Sequence, residues 1–144
     1  KKITKTKCDI LFLEGWCCGS LEIPNKFLYK NINNLEKIKD PKYQWRNFYN
    51  NKLKLEYKKL FNLFDELIFL KTSSFDNVFK WRLKQEKTNQ SKNKKSKRMT
   101  PNEIKFFIQH YEKITKWMMK DLNKKAQIVI KFEKNHKISS LNFN

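Results

Sequence analysis

The most strongly patterned hydrophobic stretch near the start of the chain is a run of four apolar residues at positions 10–13, followed directly by Glu14 and Gly15. A short continuous apolar run that ends at a turn signal is typical of a strand covered on both faces, as in parallel sheets. We therefore predict a strand over residues 8–13. Ligands of open α/β sheets lie beyond the carboxyl ends of the strands, which makes Glu14 a candidate binding residue. A purely structural carboxylate is the alternative.

The next part of the chain divides into a polar stretch and a helical one. Residues Glu22–Asp40 are rich in Lys and Asn and poor in periodicity, which indicates an excursion over the surface. From Tyr43 to Phe64 apolar residues recur near helical spacing, with Pro41 as a breaker before them. This pattern predicts one long helix, or two helices joined near Asn50.

A second apolar run, Leu67–Leu70, predicts a short buried strand that ends near Thr72. Strand, helix and strand in this order imply a right-handed parallel crossover. Ser74 is a suitable N-cap for the following helix. The apolar face of that helix consists of Phe75, Val78, Phe79 and Leu83.

The last third of the chain begins with a basic stretch, Lys87–Arg98, that predicts a mobile low-complexity loop. Thr100-Pro101-Asn102-Glu103 then gives the signature of a helix start, with an N-cap, a Pro at the first helical position and a Glu three residues after the cap. A third strand is predicted over Gln127–Ile130, and the tail Lys131–Asn144 remains unassigned. The apolar face of the capped helix consists of Ile104, Phe107, Ile108, Tyr111, Ile114, Thr115, Met118 and Leu122.

These elements predict an α/β fold with a parallel sheet of about three short strands flanked by helices. The chain has 144 residues and is 39% hydrophobic, which suits a single globular domain. Three cysteines, two of them adjacent, match neither a disulfide framework nor a zinc site and indicate reduced thiols. No apolar run reaches the length of a membrane span, so we expect a cytoplasmic protein.

The net charge of +19 raises the alternative of a nucleic-acid-binding protein. Only three of the 33 basic residues are Arg, whereas readout of base edges relies on the bidentate Arg side chain. An excess of Lys together with Asn is what an AT-rich coding sequence tends to produce. Nucleic acid is therefore a weaker expectation than a small-molecule substrate.

Arg82 stands out because it lies seven residues beyond Phe75, on the apolar face of its helix. A charge in such a place needs an anionic partner. Glu86 can supply one as an ordinary i,i+4 pair, worth about 0.2 to 0.5 kcal/mol. The alternative is that the planar guanidinium is needed for two-pronged contact with an anionic ligand.

Four segments together resemble the D-glycerate 3-kinase family of P-loop kinases, and they occur in that family's order. They are Leu13–Gly19 with the element E-G-W-C-C-G, Val78–Glu86 with W-R-L-K-Q-E, Met99–Ile104, and Phe107–Thr115. The resemblance covers nearly the whole chain apart from the insertions near residues 24–40 and 87–98. It implies a partial P-loop kinase fold and transfer of the γ-phosphoryl group of ATP to a small hydroxy acid, with D-glycerate as the first candidate.

The resemblance also implies roles for particular residues. Glu14 would lie near Mg²⁺, directly or through a water, and Gly15 and Gln85 would lie on the nucleotide side. Arg82 would be the catalytic arginine of a lid spanning about residues 75–100, meeting the oxygens of the transferring phosphoryl group. The substrate-side candidates are Trp16, Gly19, His110, Tyr111 and Lys113.

This sequence departs from the family pattern in several places. Arg98 replaces a glycine, and Lys113 and Lys116 stand where the family has arginines. More importantly, a phosphate-binding loop needs Gly-x-x-x-x-Gly-Lys-Ser/Thr, and the stretch from Gly15 to Ser20 has no Lys. By the family pattern that loop would lie upstream of residue 1. We therefore expect this chain to be the C-terminal half of a kinase and inactive alone, with an inactive kinase-like scaffold as the alternative.

Overall fold

The computed structural model describes residues 7–92 and 98–144, and they form helices on one side of a small sheet. The helices are α1 (Asn25–Leu28), α2 (Asn34–Lys39), α3 (Gln44–Lys52), a π-helical turn (Leu53–Tyr57), α4 (Lys58–Phe61), α5 (Phe75–Lys92) and α6 (Pro101–Lys125). The strands are β1 (Ile68–Thr72), β2 (Ile128–Phe132) and β3 (Ile138–Phe143).

The sheet has the order β1-β2-β3 and is mixed. β1 pairs with β2 in parallel, so the two strands predicted at Leu67–Leu70 and Gln127–Ile130 are confirmed as parallel neighbours. β2 pairs antiparallel with β3, which lies in the tail that the sequence left unassigned. The prediction of a parallel sheet is therefore only partly confirmed. The third strand is a hairpin return, and its Ser and Asn residues hide the strand pattern.

The strand predicted over residues 8–13 is wrong, because that segment has no regular secondary structure and pairs with no strand among the described residues. Ile10, Leu11, Phe12 and Leu13 are 72, 86, 83 and 54% exposed. Four apolar residues in a row become a buried strand only where neighbouring strands and two covering layers exist. The described part of the chain places neither around this segment.

The helix predicted over Tyr43–Phe64 is confirmed as one continuous helical segment from α3 through the π-helical turn to α4. It begins directly after Tyr43, whose φ of 61° places it in the left-handed region. A π-helical turn rotates the side chains that follow it relative to an α-helix. This rotation explains why the apolar residues between positions 43 and 64 depart from the regular spacing of an α-helix.

The mobile loop predicted over Lys87–Arg98 is wrong at its start, since α5 continues to Lys92. Residues 93–97 of that prediction lie outside the described residues. A helix that continues past Lys87 is compatible with the composition of the stretch, because Lys and Gln are good helix formers. In the described ranges 7–92 and 98–144, no helix is long and apolar enough to cross a membrane.

The long helix α6 forms the centre of the core. The predicted capping box is confirmed, with Thr100 accepting from the Glu103 N–H and Glu103 accepting from the Thr100 N–H. The core face of α6 packs on Phe69 of β1 and Val129 of β2. Its buried residues are Ile104, Ile108, Lys113, Ile114, Thr115, Met118 and Leu122.

The interpretation of Glu22–Asp40 as a surface excursion is wrong. Ile23 and Leu28 are each only 1% exposed and belong to the same core cluster as α6. Two helices of four and six residues carry this segment, and Asn33 caps the second by accepting from the Glu36 N–H. Elements this short have no periodicity to detect, so only tertiary packing identifies them.

The same segment is fixed to α3 and α6 by a buried cluster of four charges. Arg46 is 1% exposed, and its Nε donates to Asp40 at 2.9 Å. Its Nη1 lies 3.6 Å from a Glu36 carboxylate oxygen, and Lys113 Nζ lies 3.3 Å from that same oxygen. Lys113 also donates to the main-chain carbonyls of Phe27 and Lys30 at 2.9 and 2.7 Å. Two cations and two carboxylates thus satisfy one another inside the fold.

The cluster changes the titration of its members. Burial raises the pKa of Asp40, but hydrogen bonds from Arg46 and from the Trp45 N–H outweigh it, so the pKa lies below its ordinary value. A carboxylate with a lowered pKa stabilises the fold above its unfolded pKa, and that contribution is lost as the pH falls through the folded value. Burial lowers the pKa of Lys113, and the Glu36 carboxylate opposes that shift.

We predict that Arg46→Met lowers the free energy of unfolding by about 3 to 5 kcal/mol, because it leaves Asp40 without its cation and Glu36 with Lys113 alone. Urea denaturation followed by circular dichroism measures this. Lys52→Met is the matched control, since it removes the exposed i,i+4 partner of Glu56 and should cost at most about 0.5 kcal/mol. Equal effects of the two variants would show that the cluster does not stabilise the fold.

Candidate functional site

The described residues form an aromatic cavity of about 710 Å³. It lies between the turn that follows residue 13, the helical segment from α3 to α4, and α6. A volume of this size with apolar walls and a few polar groups is typical of a ligand site. Its lining consists of Leu13, Glu14, Cys17, Cys18, Trp45, Phe48, Tyr49, Lys52, Leu53, Tyr57, Leu60, Phe61, Phe107, His110, Tyr111 and Ile114.

A tight turn presents Glu14 to this cavity. The Cys18 N–H donates to the Gly15 carbonyl and the Ser20 N–H to the Cys17 carbonyl, both at 3.2 Å. Gly19 has a φ of +79°, and a Cβ at this position would lie 2.9 Å from the Leu67 side chain. Gly19 is therefore required by the backbone and by the close approach of the chain that leads into β1.

Gly15 differs from Gly19. A Cβ on Gly15 would meet only the Cys18 Cβ, at an ordinary 3.8 Å. Space alone therefore permits a side chain at this position.

Trp16 joins this turn to α6. Its ring stacks on that of Tyr111 with centroids 4.7 Å apart and planes at 15°. Its Nε1–H donates to Thr115 Oγ1 at 2.9 Å across 99 residues of sequence. Stacking and the hydrogen bond together fix the position of the loop that carries Glu14. Thr115 is thus a positioning residue that the sequence had assigned only to the core.

His110 and Tyr111 bring a polar edge to the cavity wall. His110 is exposed, and its Nδ1 lies 3.1 Å from the Phe107 carbonyl oxygen. Its ring meets that of Phe106 edge to face. The Phe107 and Tyr111 rings are in turn 5.3 Å apart. Glu14, His110 and Tyr111 are therefore the sequence candidates that the structure brings to one cavity.

Arg82 lies on the other side of Phe107, with its guanidinium carbon 5.8 Å from the centre of that ring. It forms an ion pair with Glu86, as the i,i+4 spacing predicted. Its Nη1 donates to Gln85 Oε1 at 3.2 Å, and its Nη2 lies 3.8 Å from the Met99 sulfur. The candidates Arg82 and Gln85 are thus held together on α5, next to the cavity wall rather than in it.

Lys113 is separated from the other candidates. Its ammonium group lies in the buried ion cluster and is bonded to Glu36 and to two main-chain carbonyls. It is 5% exposed and does not line the cavity. Lys113 therefore holds α6 against the segment that contains α1 and α2.

Burial raises the pKa of three titratable groups on the cavity wall. Burial raises the pKa of Cys17 to about 11 and also raises that of Tyr49. Burial raises the pKa of Cys18 as well, with a smaller contribution from the Glu14 carboxylate. The wall also carries Glu14, His110 and Lys52 among the described residues, and Lys52 pairs with Glu56.

The described residues offer little to a metal ion on their own. No group of three His, Cys, Asp or Glu side chains lies close enough together in ranges 7–92 and 98–144 to hold one. Mg²⁺ in phosphoryl-transfer sites is bound through one or two carboxylates, with waters and phosphates supplying the rest. The exposed carboxylate of Glu14 fits one such position. The sequence contains no Gly-x-x-x-x-Gly-Lys-Ser/Thr loop, which is the main-chain cradle that P-loop proteins use for nucleotide phosphates.

Sequence reasoning missed most of the cavity wall. The segment from α3 to α4 was predicted only as a helix, and its rings Trp45, Phe48 and Tyr57 are 58, 53 and 48% exposed. The Trp45 and Phe48 rings stack on each other. The density of aromatic residues between positions 43 and 64 was the available signal.

Comparison with known proteins finds similar solved structures but no match by sequence. No protein-family profile and no curated protein matches the chain. The fold is similar to that of a D-glycerate 3-kinase from Cryptococcus neoformans var. grubii, with a TM-score of 0.72 and 19% identity over 98% of this chain and 52% of that one. It is also similar to the YGR205w protein, with a TM-score of 0.55 and 20% identity over 89% of this chain and 45% of that one.

These likenesses show a kinase-like α/β fold and a distant structural relationship. The chain spans about half the length of the solved structures it matches. At this level of identity the fold is shared, and function has to be argued from the site.

We predict that iodoacetamide at pH 8 labels Cys17 at least about tenfold more slowly than the exposed Cys8. With a pKa of about 11, only about one Cys17 in a thousand is the reactive thiolate at that pH, and the fraction grows as the pH rises. Peptide mass spectrometry over a time course measures both rates. Equal labelling in 6 M urea is the control, and equal labelling of the folded protein would contradict the buried position of Cys17.

Proposed function

We propose that this chain forms the acceptor and lid side of an ATP-dependent kinase that phosphorylates a small hydroxy acid, with D-glycerate as the first acceptor to test. The fold likeness to a D-glycerate 3-kinase supports the kinase assignment. The ordered motifs Leu13–Gly19, Val78–Glu86, Met99–Ile104 and Phe107–Thr115 support it independently of the fold. The chain spans 52% of that neighbour, so the activity belongs to a longer protein that also carries a phosphate-binding loop.

One observation carries the proposal. Residues far apart in sequence, Glu14 on the first turn and His110 and Tyr111 on α6, line one cavity. Arg82 of α5 contacts the Phe107 ring that belongs to the same wall. A carboxylate, a histidine, a phenol and a guanidinium around one concavity are the groups that hold a metal-bound phosphate and a polar acceptor. Three motifs of the resemblance thus meet in space.

In this proposal Arg82 stabilises the charge that spreads over the oxygens of the transferring phosphoryl group. Its partners Glu86 and Gln85 hold the guanidinium plane in one orientation, which limits the side-chain entropy lost when the phosphoryl group binds. Because Arg82 lies outside the cavity lining and is held by Glu86 and Gln85, α5 must move to bring the guanidinium to the cavity. A lid motion of α5 meets this need.

Glu14 holds one side of the cavity mouth in this proposal. Mg²⁺, when bound, supplies neutralisation of the phosphate charge, and the Glu14 carboxylate would hold it directly or through a water. Trp16 and Thr115 keep the Glu14 turn in place through the stacking and hydrogen bond described above. The apolar rings around the site keep bulk water away from the reacting groups.

The first test is phosphoryl transfer from ATP to D-glycerate by the full-length protein, with Arg82→Lys as the variant. We expect the variant to lose more than about tenfold in turnover, or about 1.4 kcal/mol, because a point charge does not replace the planar fork. Coupled ADP release measures the rates. Lys84→Arg, an exposed position on the same helix, is the control and should keep full activity.

Full turnover by Arg82→Lys would exclude the lid role. An intact phosphate-binding loop without any transfer to D-glycerate by the unaltered protein would favour a different acceptor or an inactive scaffold. Steep salt-dependent binding to RNA or DNA in place of ATP binding would favour the nucleic-acid alternative.

The second test is Glu14→Gln in the full-length protein. Removing the negative charge while keeping the shape should raise the Mg²⁺ concentration that gives half-maximal activity by at least about threefold, since Mg²⁺ prefers carboxylate oxygens. The free energy of unfolding should change by less than about 0.5 kcal/mol because the side chain is exposed. A loss of stability with unchanged dependence on Mg²⁺ would instead show a structural carboxylate.

A further inference from the structure

The turn that joins β2 to β3 (residues 133–137) contacts α5 at the residue directly before Arg82. The ring of His136 in this hairpin turn stacks on that of Trp81, with centroids 4.5 Å apart and planes at 26°. The Trp81 Nε1–H also donates to the Lys134 carbonyl oxygen at 3.0 Å, across 53 residues of sequence. One indole ring thus holds α5 to the hairpin turn through two different contacts.

The hairpin turn presents His136 from an unusual backbone conformation. His136 has a φ of 66°, in the left-handed region that residues with a Cβ seldom adopt. Its N–H donates to the Glu133 carbonyl at 3.1 Å, and the Glu133 N–H donates to the Lys137 carbonyl at 2.9 Å. Asn135 Oδ1 accepts from the Lys137 N–H at 3.1 Å. These three hydrogen bonds keep the turn, and with it the imidazole ring, in one position.

The needs of the turn do not explain a histidine at position 136. Gly adopts the left-handed conformation without a steric penalty, and Asn tolerates it well. Burial does not explain the residue either, because His136 is exposed. The contact that distinguishes its side chain is the stack on Trp81. A strained residue that supplies a contact to another element indicates that the contact has a role.

The start of α5 is fixed one turn before this contact. Asn77 is buried, and its Nδ2 donates to Thr72 Oγ1 at 3.2 Å and to Ser73 Oγ at 2.9 Å. This ties the first turn of α5 to the end of β1. Trp81 follows Asn77 by four residues, so the hairpin contact is the next point along α5 that is held to the sheet.

Trp81 and Arg82 contact opposite neighbours of α5. Successive residues of an α-helix are about 100° apart around its axis, so adjacent side chains point in different directions. Trp81 contacts the hairpin turn, whereas the Arg82 guanidinium carbon lies 5.8 Å from the centre of the Phe107 ring of α6. Any rotation of α5 that displaces the indole ring therefore also redirects the guanidinium.

We propose that His136 is a positioning residue for Arg82 and acts through Trp81. The stack and the indole hydrogen bond give α5 a support on the hairpin turn, and α5 pivots on this support when the guanidinium moves to the cavity. This inference rests on the proposed function, in which Arg82 meets the transferring phosphoryl group. Such a group has to be held within about 0.5 Å of its productive position, so a loosened support lowers turnover although His136 touches no substrate.

The first test is His136→Asn in the full-length protein, with ADP release measured during transfer from ATP to D-glycerate. Asn keeps the left-handed turn and removes the ring. We expect turnover to fall at least about threefold and the KM for ATP to change less than about twofold, because an interaction made only in the transition state affects kcat and not KM. Lys137→Gln is the matched control, since Lys137 is exposed on the same turn, and should keep full turnover.

The double variant with Arg82→Lys separates positioning from a general structural role. If His136 acts through Arg82, His136→Asn should change turnover less than about 1.5-fold once Arg82 is already Lys, because the two effects are then coupled. An equal loss in both backgrounds would overturn the proposal. Full turnover in His136→Asn alone would also overturn it.

Hydrogen exchange measures the hold of the hairpin turn on α5 without any activity. Amides of residues 79–86 should exchange at least about threefold faster in His136→Asn than in Lys137→Gln, with Tm values within about 2 °C of each other. Faster exchange in a protein without phosphoryl transfer would support this hold and reject the proposed function. Phosphoryl transfer with equal exchange in the two variants would reject this inference and leave the proposed function standing.

Discussion

The fold depends on one buried electrostatic constraint, the group formed by Arg46, Lys113, Glu36 and Asp40. A buried charge without a partner is far more costly than a missing apolar contact, so the three segments that carry these groups must assemble together. The segment before α3 gives two carboxylates, α3 gives the guanidinium and α6 gives the ammonium. This requirement places α3 and α6 on two sides of the aromatic cavity.

The cavity follows from that arrangement. Once α3 and α6 are fixed, the turn carrying Glu14 closes the third side through the stack of Trp16 on Tyr111 and the hydrogen bond to Thr115. The same stack joins two residues, Trp16 and Tyr111, that lie in separate motifs of the sequence. A residue can therefore belong to a functional pattern by holding another residue in place, as Trp16 does for Glu14.

In contrast to the charge cluster, the sheet is not fully covered by the described residues. One face is completed by α6, while Leu70 of β1 and Leu141 of β3 remain exposed. The wrong prediction for residues 8–13 has the same physical origin. The sequence pattern there is that of a buried strand, and the described part of the chain does not provide the layers that would bury it.

The features that could be predicted from the amino-acid sequence are those whose causes are local. The capping box at Thr100, the apolar face of α6, the two parallel strands and the pair of Arg82 with Glu86 follow from residue types at short spacing, and the structure confirms them. Glu14, His110 and Tyr111 were also found as candidates, through motif resemblance.

The remaining features of the fold and the cavity became visible only in the folded chain. Folding made the segment before α3 part of the core, assigned Lys113 to the buried charges and not to the cavity, and lined that cavity with the rings of α3 to α4. It also revealed β3 and the uncovered face of the sheet. These outcomes depend on contacts between residues tens of positions apart, and the free energy of burying a charge or a ring is set by what surrounds it, which a local pattern does not contain.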